Sequence, residues 1–213
     1  MKIKKKLPIT HFTISQLIKQ NMHIGFSKNL RNTTNINYIY STPQNMDIIN
    51  LYYTLKTLRI ILPAISKINS ENGKILTIFN TNYIPICYQF IKANMEYHQR
   101  FLFAWKPGLL SNFKEFRKQK KFYYYKNLWH IPNFIISVTS EYHNDFKTEV
   151  KALDIPCAKI QDTAHKNFNF LYTLPANTKH TSSSLFFIAL IQTALATGFT
   201  KKILTFSTKK FKT

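Results

Sequence analysis

"LYYTLKTLRIILPAISKINSENGKILTIF", Leu51 to Phe79, contains two different hydrophobic patterns in succession. Its first part places apolar residues every three or four positions, at Leu51, Leu55, Leu58, Leu62 and Ile65. This spacing predicts one buried face of a long helix, which Pro63 is expected to kink. Asn72-Gly73 then predicts a turn, and the apolar run after it predicts a buried strand. A helix that leads directly into a buried strand is typical of an α/β fold.

The rest of the chain continues this alternation. Before Leu51, the sequence predicts a short helix at Ile14–Asn21 and extended pieces at Asn37–Tyr40 and Asp47–Ile49. After Phe79, it predicts strands at residues 99–104, 133–138, 156–160 and 170–174, and helices at 85–94, from 111 onward, at 145–153 and at 182–197. Such alternation indicates a mostly parallel sheet with helices on both faces. Because no repeat or Gly/Ser-rich linker interrupts it, we expect a single domain over residues 1–213.

The charge of the chain is strongly positive and unevenly distributed. Thirty Lys and Arg residues stand against nine Asp and Glu residues, and every acid lies between Asp47 and Asp162. We therefore expect a basic N-terminal extension at residues 1–46 and a basic tail at 199–213 after a helix end at Gly198. The tail is expected to be mobile in the free chain and to lie along a partner when bound. A net charge of +21 favours a polyanionic partner, nucleic acid before an anionic membrane surface.

The residues that nucleotide-binding, catalytic and metal sites require are few or scattered. The four glycines lie far apart, which excludes a GxGxxG motif and a P-loop. The nine acids and seven His residues form no catalytic or metal-binding spacing, so we expect no enzyme activity, metal, cofactor or small-molecule substrate. Cys87 and Cys157 are predicted to be buried thiols. The apolar run Leu185–Phe199 is predicted to be too short and too polar to span a membrane.

"FAWKPGLLSNF", Phe103 to Phe113, predicts a sharp corner at the carboxyl end of a strand. Pro107 fixes one φ angle, Gly108 allows the backbone to reverse, and Ser111 or Asn112 is expected to cap the next helix. Trp105 is expected in the core, with base stacking as the alternative. A cationic segment follows, with Arg117, Lys118, Lys120 and Lys121 ahead of the aromatic run 122–125. Cations beside aromatic rings suit RNA phosphates and bases, while protein packing is the alternative for the rings.

The segment "MHIGFSKNLRNTTNINYIY", residues 22–40, resembles the start of the bacterial-type small-subunit ribosomal protein two family. That family has Val-His-Phe-Gly-His, then basic residues, then Asn-Pro-x-Met-x-x-Tyr-Ile. The matching positions here are His23, Gly25, Asn32, Tyr38 and Ile39. "DIINL", residues 47–51, is similar to the family's His-Ile-Ile-Asp-Leu, and "AWKPGLLSNF", residues 104–113, to its Arg-Trp-Leu-Gly-Gly-x-Leu-Thr-Asn-Phe.

Further segments resemble the same family in the same order. They are "IPNFIISV", "LDIPCAKIQDTA" and "YTLPANTKHTSSS", so the resemblance extends from about Ile14 to Thr197. The chain also departs from the family pattern. Phe26 stands in place of the second His of His-Phe-Gly-His, and the family's Asn-Asp-Asp has become Asn177-Thr178-Lys179. Residues 113–132 stand where the family has a long helical hairpin, so we expect a shortened hairpin region.

The resemblance implies a flavodoxin-like three-layer fold with an N-terminal extension, and a structural role in the small ribosomal subunit. It also implies a position between head and body, in contact with small-subunit rRNA and neighbouring ribosomal proteins. His23 and Gly25 are expected to form a tight loop against rRNA, with a purely structural turn as the alternative. The expected RNA-binding residues are His23, Gly25, Lys28, Arg31, Lys106, Ser111, Asn112, Lys114, Arg117, Lys118, Lys120, Lys121, Lys201 and Lys202.

The composition also suggests a location. Asn, Ile, Phe and Tyr are abundant and only four of the 30 basic residues are Arg, a bias typical of an AT-rich genome. The resemblance begins close to Met1, leaving little room for a removable presequence, so we expect an organelle-encoded gene. Together with the divergence of the motifs, these features predict the mitochondrion. The alternative function is a stand-alone RNA-binding regulator that uses the same basic ends.

Overall fold

The computed structural model describes residues 12–79, 100–102, 105–112, 114–115, 131–138, 144–167 and 169–210. The predicted helix at 85–94 and the cationic segment 117–121 lie outside these residues, as does Cys87. The described helices and strands follow in chain order: α1 Ile14–Lys19, β1 Ile24–Ser27, β2 Ile39–Ser41, β3 Met46–Ile49, α2 Leu51–Ser70, β4 Ile75–Ile78, β5 Arg100–Leu102, β6 Phe134–Ser137, α3 Asn144–Ala152, β7 Cys157–Gln161, β8 Tyr172–Pro175 and α4 Thr181–Lys210.

Five parallel strands form the main sheet in the order β5-β4-β6-β7-β8. In chain order this is 2-1-3-4-5, the arrangement of flavodoxin-like doubly wound folds. Four residues in a row are buried in β4 and in β6, and all five are buried in β7. Such continuous burial is expected where a parallel sheet is covered on both faces. The predicted fold class is therefore confirmed.

Alternate residues of the strands face two separate cores. One face, which includes Ile75, Ile136 and Ile160, packs against α1, α2 and α4. The other face, which includes Leu76, Ile135 and Cys157, packs against α3 and the 105–110 corner. The fold thus has three layers: α1, α2 and α4 lie on one face of the sheet, and α3 lies on the other face with the 105–110 corner. Cys157 is a buried free thiol, as predicted.

A second, antiparallel sheet lies before α2 and was not predicted. Its strand order is β1-β3-β2, with Ile24 opposite Ile48 and Ile39 opposite Ile49. The expected extended piece at Asn37–Tyr40 is only half right, because residues 33–38 form 3-10 turns and the strand begins at Ile39. The strands have only three or four residues, too few to show a clear alternation in the sequence.

The closing helix is longer than predicted. α4 continues from Thr181 through Gly198 to Lys210, so the expected helix end at Gly198 is wrong, while the mobility of the tail in the free chain stays a prediction. The glycine serves helix packing instead: a Cβ atom at this position would lie 2.4 Å from the carbonyl oxygen of Ser66 in α2. Beside this contact, Asn69 Nδ2 donates to the Leu195 carbonyl at 2.7 Å. Gly198 therefore lets α2 and α4 approach closely.

The apolar stretch of α4 is longer than the run Leu185–Phe199 considered from the sequence, and the absence of a membrane span stays a prediction. Thr181–Ile203 is long and apolar enough to cross a bilayer by length and composition. However, more than half of this apolar stretch is buried inside the protein, where Phe187, Ile191 and Leu195 join the core against α2 and the sheet. The apolar character of this helix is therefore explained by its place in the core.

Candidate RNA-binding surfaces

The Trp-Lys-Pro-Gly corner follows β5, at the carboxyl edge of the sheet as predicted. Gly108 has a φ angle of 84°, which only glycine adopts without strain. Three backbone N–H groups of this turn donate to one carboxylate on α3: Gly108 at 2.5 Å, Leu110 at 2.8 Å and Ser111 at 3.2 Å from Glu149 oxygens. Such charge-assisted bonds are stronger than neutral ones. The corner is thus held in place by Glu149, which sequence analysis did not identify.

The side chains of the corner divide into buried and exposed groups. Trp105 is half-buried and packs edge-on against Phe146 with 4.7 Å between ring centroids, so it lies against the core but is not enclosed by it. Lys106 is half-buried, while Ser111, Asn112 and Lys114 are exposed. The described part of the following helix begins at Lys114, where the Glu115 N–H donates to the Asn112 carbonyl at 3.0 Å. The corner therefore presents Ser111, Asn112 and Lys114 outward.

Gly25 lies inside strand β1, so the expectation of a tight loop at His23 and Gly25 is wrong. A Cβ atom on Gly25 would come within 2.8 Å of the Thr163 side chain and 3.1 Å of Asp47 Cβ. Glycine is therefore required by close packing between β1, β3 and the loop after β7. His23 directly precedes the strand, and burial lowers the pKa of its imidazole.

Lys28 and Arg31 were predicted to act alike, but their surroundings differ. Lys28 is exposed at the end of β1. Arg31 instead binds both carboxylate oxygens of Asp47, whose side chain is 0% exposed, with Nε at 3.2 and 3.0 Å and Nη2 in a further short contact. The hydrogen bond to Asp47 raises the pKa of Arg31. Much of the charge of Arg31 is thus neutralised within the protein.

One buried amide fastens the segment before α2 to the loop after β7. Asn35 is 1% exposed, and its Nδ2 donates to the carbonyls of Asp162, Thr163 and His165 at 3.0, 3.1 and 2.7 Å. Together with the Asn32 N–H bond to the Thr163 carbonyl at 2.9 Å, these contacts fix the N-terminal segment on the carboxyl edge of the sheet. Gln161 Nε2, on β7, donates to the carbonyls of Asp162 and His165 and so holds the loop itself.

Asp162 lies beneath this junction and is 1% exposed. Burial raises the pKa of its carboxyl, while hydrogen bonds from Thr178 and Thr163 and the nearby His165 oppose that rise. The Thr178 N–H and hydroxyl donate at 2.8 and 2.9 Å, and the Thr163 N–H donates at 2.7 Å. The carboxylate therefore ties two loops at the carboxyl edge to each other.

Comparison with known proteins identifies the family. The model of the family "Ribosomal protein S2" matches residues 17–128. The chain belongs to the ribosomal protein S2 family. Small ribosomal subunit protein uS2 of Coxiella burnetii (strain Dugway 5J108-111) is 30% identical over 116 residues, which cover 53% of this chain and 36% of the relative. The uS2 protein of Orientia tsutsugamushi (strain Boryong) is 30% identical over 105 residues, covering 49% and 35%.

A mitochondrial relative shows a similar level of identity. Small ribosomal subunit protein uS2m of Schizosaccharomyces pombe (strain 972) is 28% identical over 116 residues, which cover 54% of this chain and 43% of that protein. The chain thus spans less than half the length of the curated relatives it matches. The S2 family match ends at residue 128, so β6 to α4 lie beyond it.

The remaining predicted residues of this S2 family member are only partly described. Lys201 is exposed and Lys202 is half-buried on α4. Arg117, Lys118, Lys120 and Lys121 lie outside the described residues, and RNA binding by all of the predicted residues stays a prediction.

One buried cation was not singled out from the sequence. Lys159 in β7 is 1% exposed, and its ammonium lies 5.8 Å from the Phe170 ring centroid. Burial lowers the pKa of Lys159 to about 8, and the neighbouring Cys157 opposes this change. Burial also raises the pKa of the Cys157 thiol. In the described ranges, no group of three or more His, Cys, Asp and Glu side chains could hold a metal ion.

Proposed function

We propose that this chain is a structural constituent of the small ribosomal subunit and supports translation by binding small-subunit rRNA and neighbouring ribosomal proteins. The observation that carries the proposal is the match of residues 17–128 to the ribosomal protein S2 family. The flavodoxin-like order of the main sheet supports it independently of that match. A scaffold role, and not an enzyme activity, is what we assign to the chain.

The charge distribution supports RNA as a partner. A net charge of +21 would repel itself in a compact chain unless a polyanion neutralised it. Lys28, Lys114 and Lys201 project from the surface, where they can meet phosphates. Lys and Arg contacts to the phosphate backbone supply affinity without sequence preference, which suits a protein held within a folded rRNA.

The mitochondrial ribosome is the proposed location. The AT-type residue bias and the similarity to the fission yeast uS2m protein support it, while bacterial relatives are equally similar. We place the chain between head and body of the subunit, as its family resemblance implies.

Sedimentation tests the assignment directly. A tagged full-length chain should co-sediment with small subunits from purified mitochondria at low salt and leave them only at high salt, because phosphate contacts weaken as salt rises. The rRNA in the same fractions is identified by sequencing. A chain that stays monomeric and without rRNA in a gentle lysate would contradict the proposal. Association with small subunits outside mitochondria would contradict the location alone.

A further inference from the structure

Two residues far apart in the sequence form a cation–π pair at the edge of the molecule. Lys179, two residues before α4, places its Nζ 3.8 Å from the centroid of the Phe26 ring in β1. At this distance the ammonium lies against the ring face, where the electron density of the ring attracts it. Lys179 is exposed and Phe26 is half-buried, so the lysine lies at the surface and rests on the phenylalanine ring.

Both partners are held by their backbones. The Phe26 N–H donates to Thr163 Oγ1 at 2.8 Å, and its ring meets His165 edge-on with centroids 5.9 Å apart. The Lys179 N–H donates to Asn177 Oδ1 at 2.8 Å, and Asn177 Nδ2 donates in turn to the Asn21 carbonyl at 3.1 Å. The backbones that carry the ring and the lysine are therefore both held in place, which restricts where the Lys179 ammonium can lie.

The charges around this pair are not balanced by acids. Lys28 follows Phe26 by two residues, Lys166 follows His165 directly, and both are exposed. No carboxylate of the described ranges forms a salt bridge with Lys28, Lys166 or Lys179. The two acids in this part of the molecule are buried: Asp47 pairs with Arg31, and Asp162 accepts hydrogen bonds from Thr163 and Thr178. Each of these three exposed lysines is therefore a cation without a carboxylate partner among the described residues.

We propose that Lys179, positioned by the Phe26 ring, binds a backbone phosphate of RNA, and that Lys28 and Lys166, exposed and close in sequence to Phe26 and His165, add to the positive charge. The proposal rests on the RNA-binding function proposed above and assigns a site to it. A lysine ammonium is a point-charge ligand for phosphate, and a fixed ammonium loses less conformational freedom when it binds. Because the ammonium covers one face of the ring, Phe26 acts as a positioning residue for Lys179 and not as a stacking platform for a base.

The first test compares two exposed lysines of the full-length chain. Affinity for a transcript of bacterial small-subunit rRNA is measured at several salt concentrations for wild type, Lys179→Gln and Lys67→Gln, a control on the exposed surface of α2. Lys179→Gln should bind several-fold more weakly at low salt. Its plot of log K against log salt should be flatter by about 0.7 to 0.9, the loss of one phosphate contact. Lys67→Gln should keep the wild-type slope.

Three outcomes separate the explanations. A wild-type slope in Lys179→Gln, with RNA binding intact, would overturn this site but not the proposed function. Absence of rRNA binding by the wild type would overturn both. Equal loss of binding to anionic phosphatidylglycerol vesicles and to rRNA by Lys179→Gln would show a general anion surface, and would overturn the assignment to RNA.

A second test concerns the positioning role of Phe26. Phe26→Leu keeps an apolar side chain and removes the ring face, so it should weaken rRNA binding in the wild-type background. In the Lys179→Gln background the same change should have no further effect, since the ammonium it positions is gone. Thermal unfolding of each variant shows whether the fold is retained. An equal effect of Phe26→Leu in both backgrounds would overturn the positioning role.

Discussion

The two basic ends of the described chain are built in opposite ways. The N-terminal segment, residues 23–35, consists of one short strand and 3-10 turns and is fastened by side chains: Arg31 to Asp47, and Asn35 to three carbonyls after β7. The C-terminal end is instead the continuation of the core helix α4 to Lys210. In the full sequence the two ends, residues 1–46 and 199–213, are similar in composition, since both are basic and contain no acids.

This difference shows what charge composition can and cannot reveal. Composition gives the sign of the field around each end and hence the class of partner that it attracts. It does not show which cations remain available to bind a partner. The buried Asp47 forms an ion pair with Arg31, whereas Lys28 stays exposed to solvent. The cations of each end must therefore be tested individually.

The largest effect is expected from Arg31→Gln. The change leaves the buried Asp47 carboxylate without its charged partner, and breaking such a pair typically costs about 3 kcal/mol of unfolding free energy or more. Urea denaturation measures the loss. The matched control is Lys28→Gln, which should change the free energy of unfolding by less than about 0.5 kcal/mol because Lys28 is exposed. Equal stability of the two variants would contradict a structural role for Arg31.

A smaller but still large loss is expected from Asn35→Ala. The change removes the buried NH2 group whose two hydrogens are shared among three carbonyls after β7, and losing these hydrogen bonds is expected to cost about 2 kcal/mol, although the carbonyls keep bonds from Gln161 and Asn32. Asn37→Ala is the control, since Asn37 is exposed in the same turn. Hydrogen exchange should locate the weakened protection in residues 24–35 and 162–167. Weakened protection confined to α4 would argue against the proposed fastening.

Gly198→Ala tests the other end. Alanine favours a helix over glycine by about 1 kcal/mol, but its Cβ would meet the Ser66 carbonyl, and overpacking typically costs about 1 to 3 kcal/mol. We expect a net loss of about 1 kcal/mol in thermal or urea unfolding. Thr193→Ala, at an exposed position of α4, should be nearly neutral. A gain in stability would show that α2 and α4 separate at no cost.

The main sheet and its helices could be predicted because their signals are local. The buried runs that became β4, β6 and β7 are continuous and apolar, and α2 repeats its apolar residues at helical spacing. The error at Gly198 has a physical reason. A glycine near the end of an apolar run suggests a helix end, but it equally suits a helix crossing, and only the position of Ser66 distinguishes the two.

The contacts that fix the candidate site are of a different kind. Asn35 meets carbonyls that lie 127 to 130 residues away, and Glu149 meets N–H groups 38 to 41 residues away. Each is a polar residue whose own neighbourhood in the sequence is unremarkable. A single sequence identified the cationic residue types of the surface and the corner at Gly108. It could not pair them with the acids and amides that hold them.

The smallest effect, a change in pH dependence, is expected at His23. Burial lowers the pKa of His23 below its ordinary value of 6.5, and its Nδ1 has no hydrogen-bond partner among the described residues. The His23 imidazole therefore binds a proton more readily in the unfolded chain than in the folded chain. The resulting stability is present above about pH 6.5 and is lost as pH falls through the folded-state pKa.

His23→Gln should thus lose less unfolding free energy than wild type between about pH 7.5 and 5.5, with the exposed His180→Gln as control. A wild-type pH slope in His23→Gln would rule out this contribution. Repeating the titration with bound rRNA sharpens the comparison, since a phosphate contact favours the charged imidazole and would shift the pKa of His23 upward.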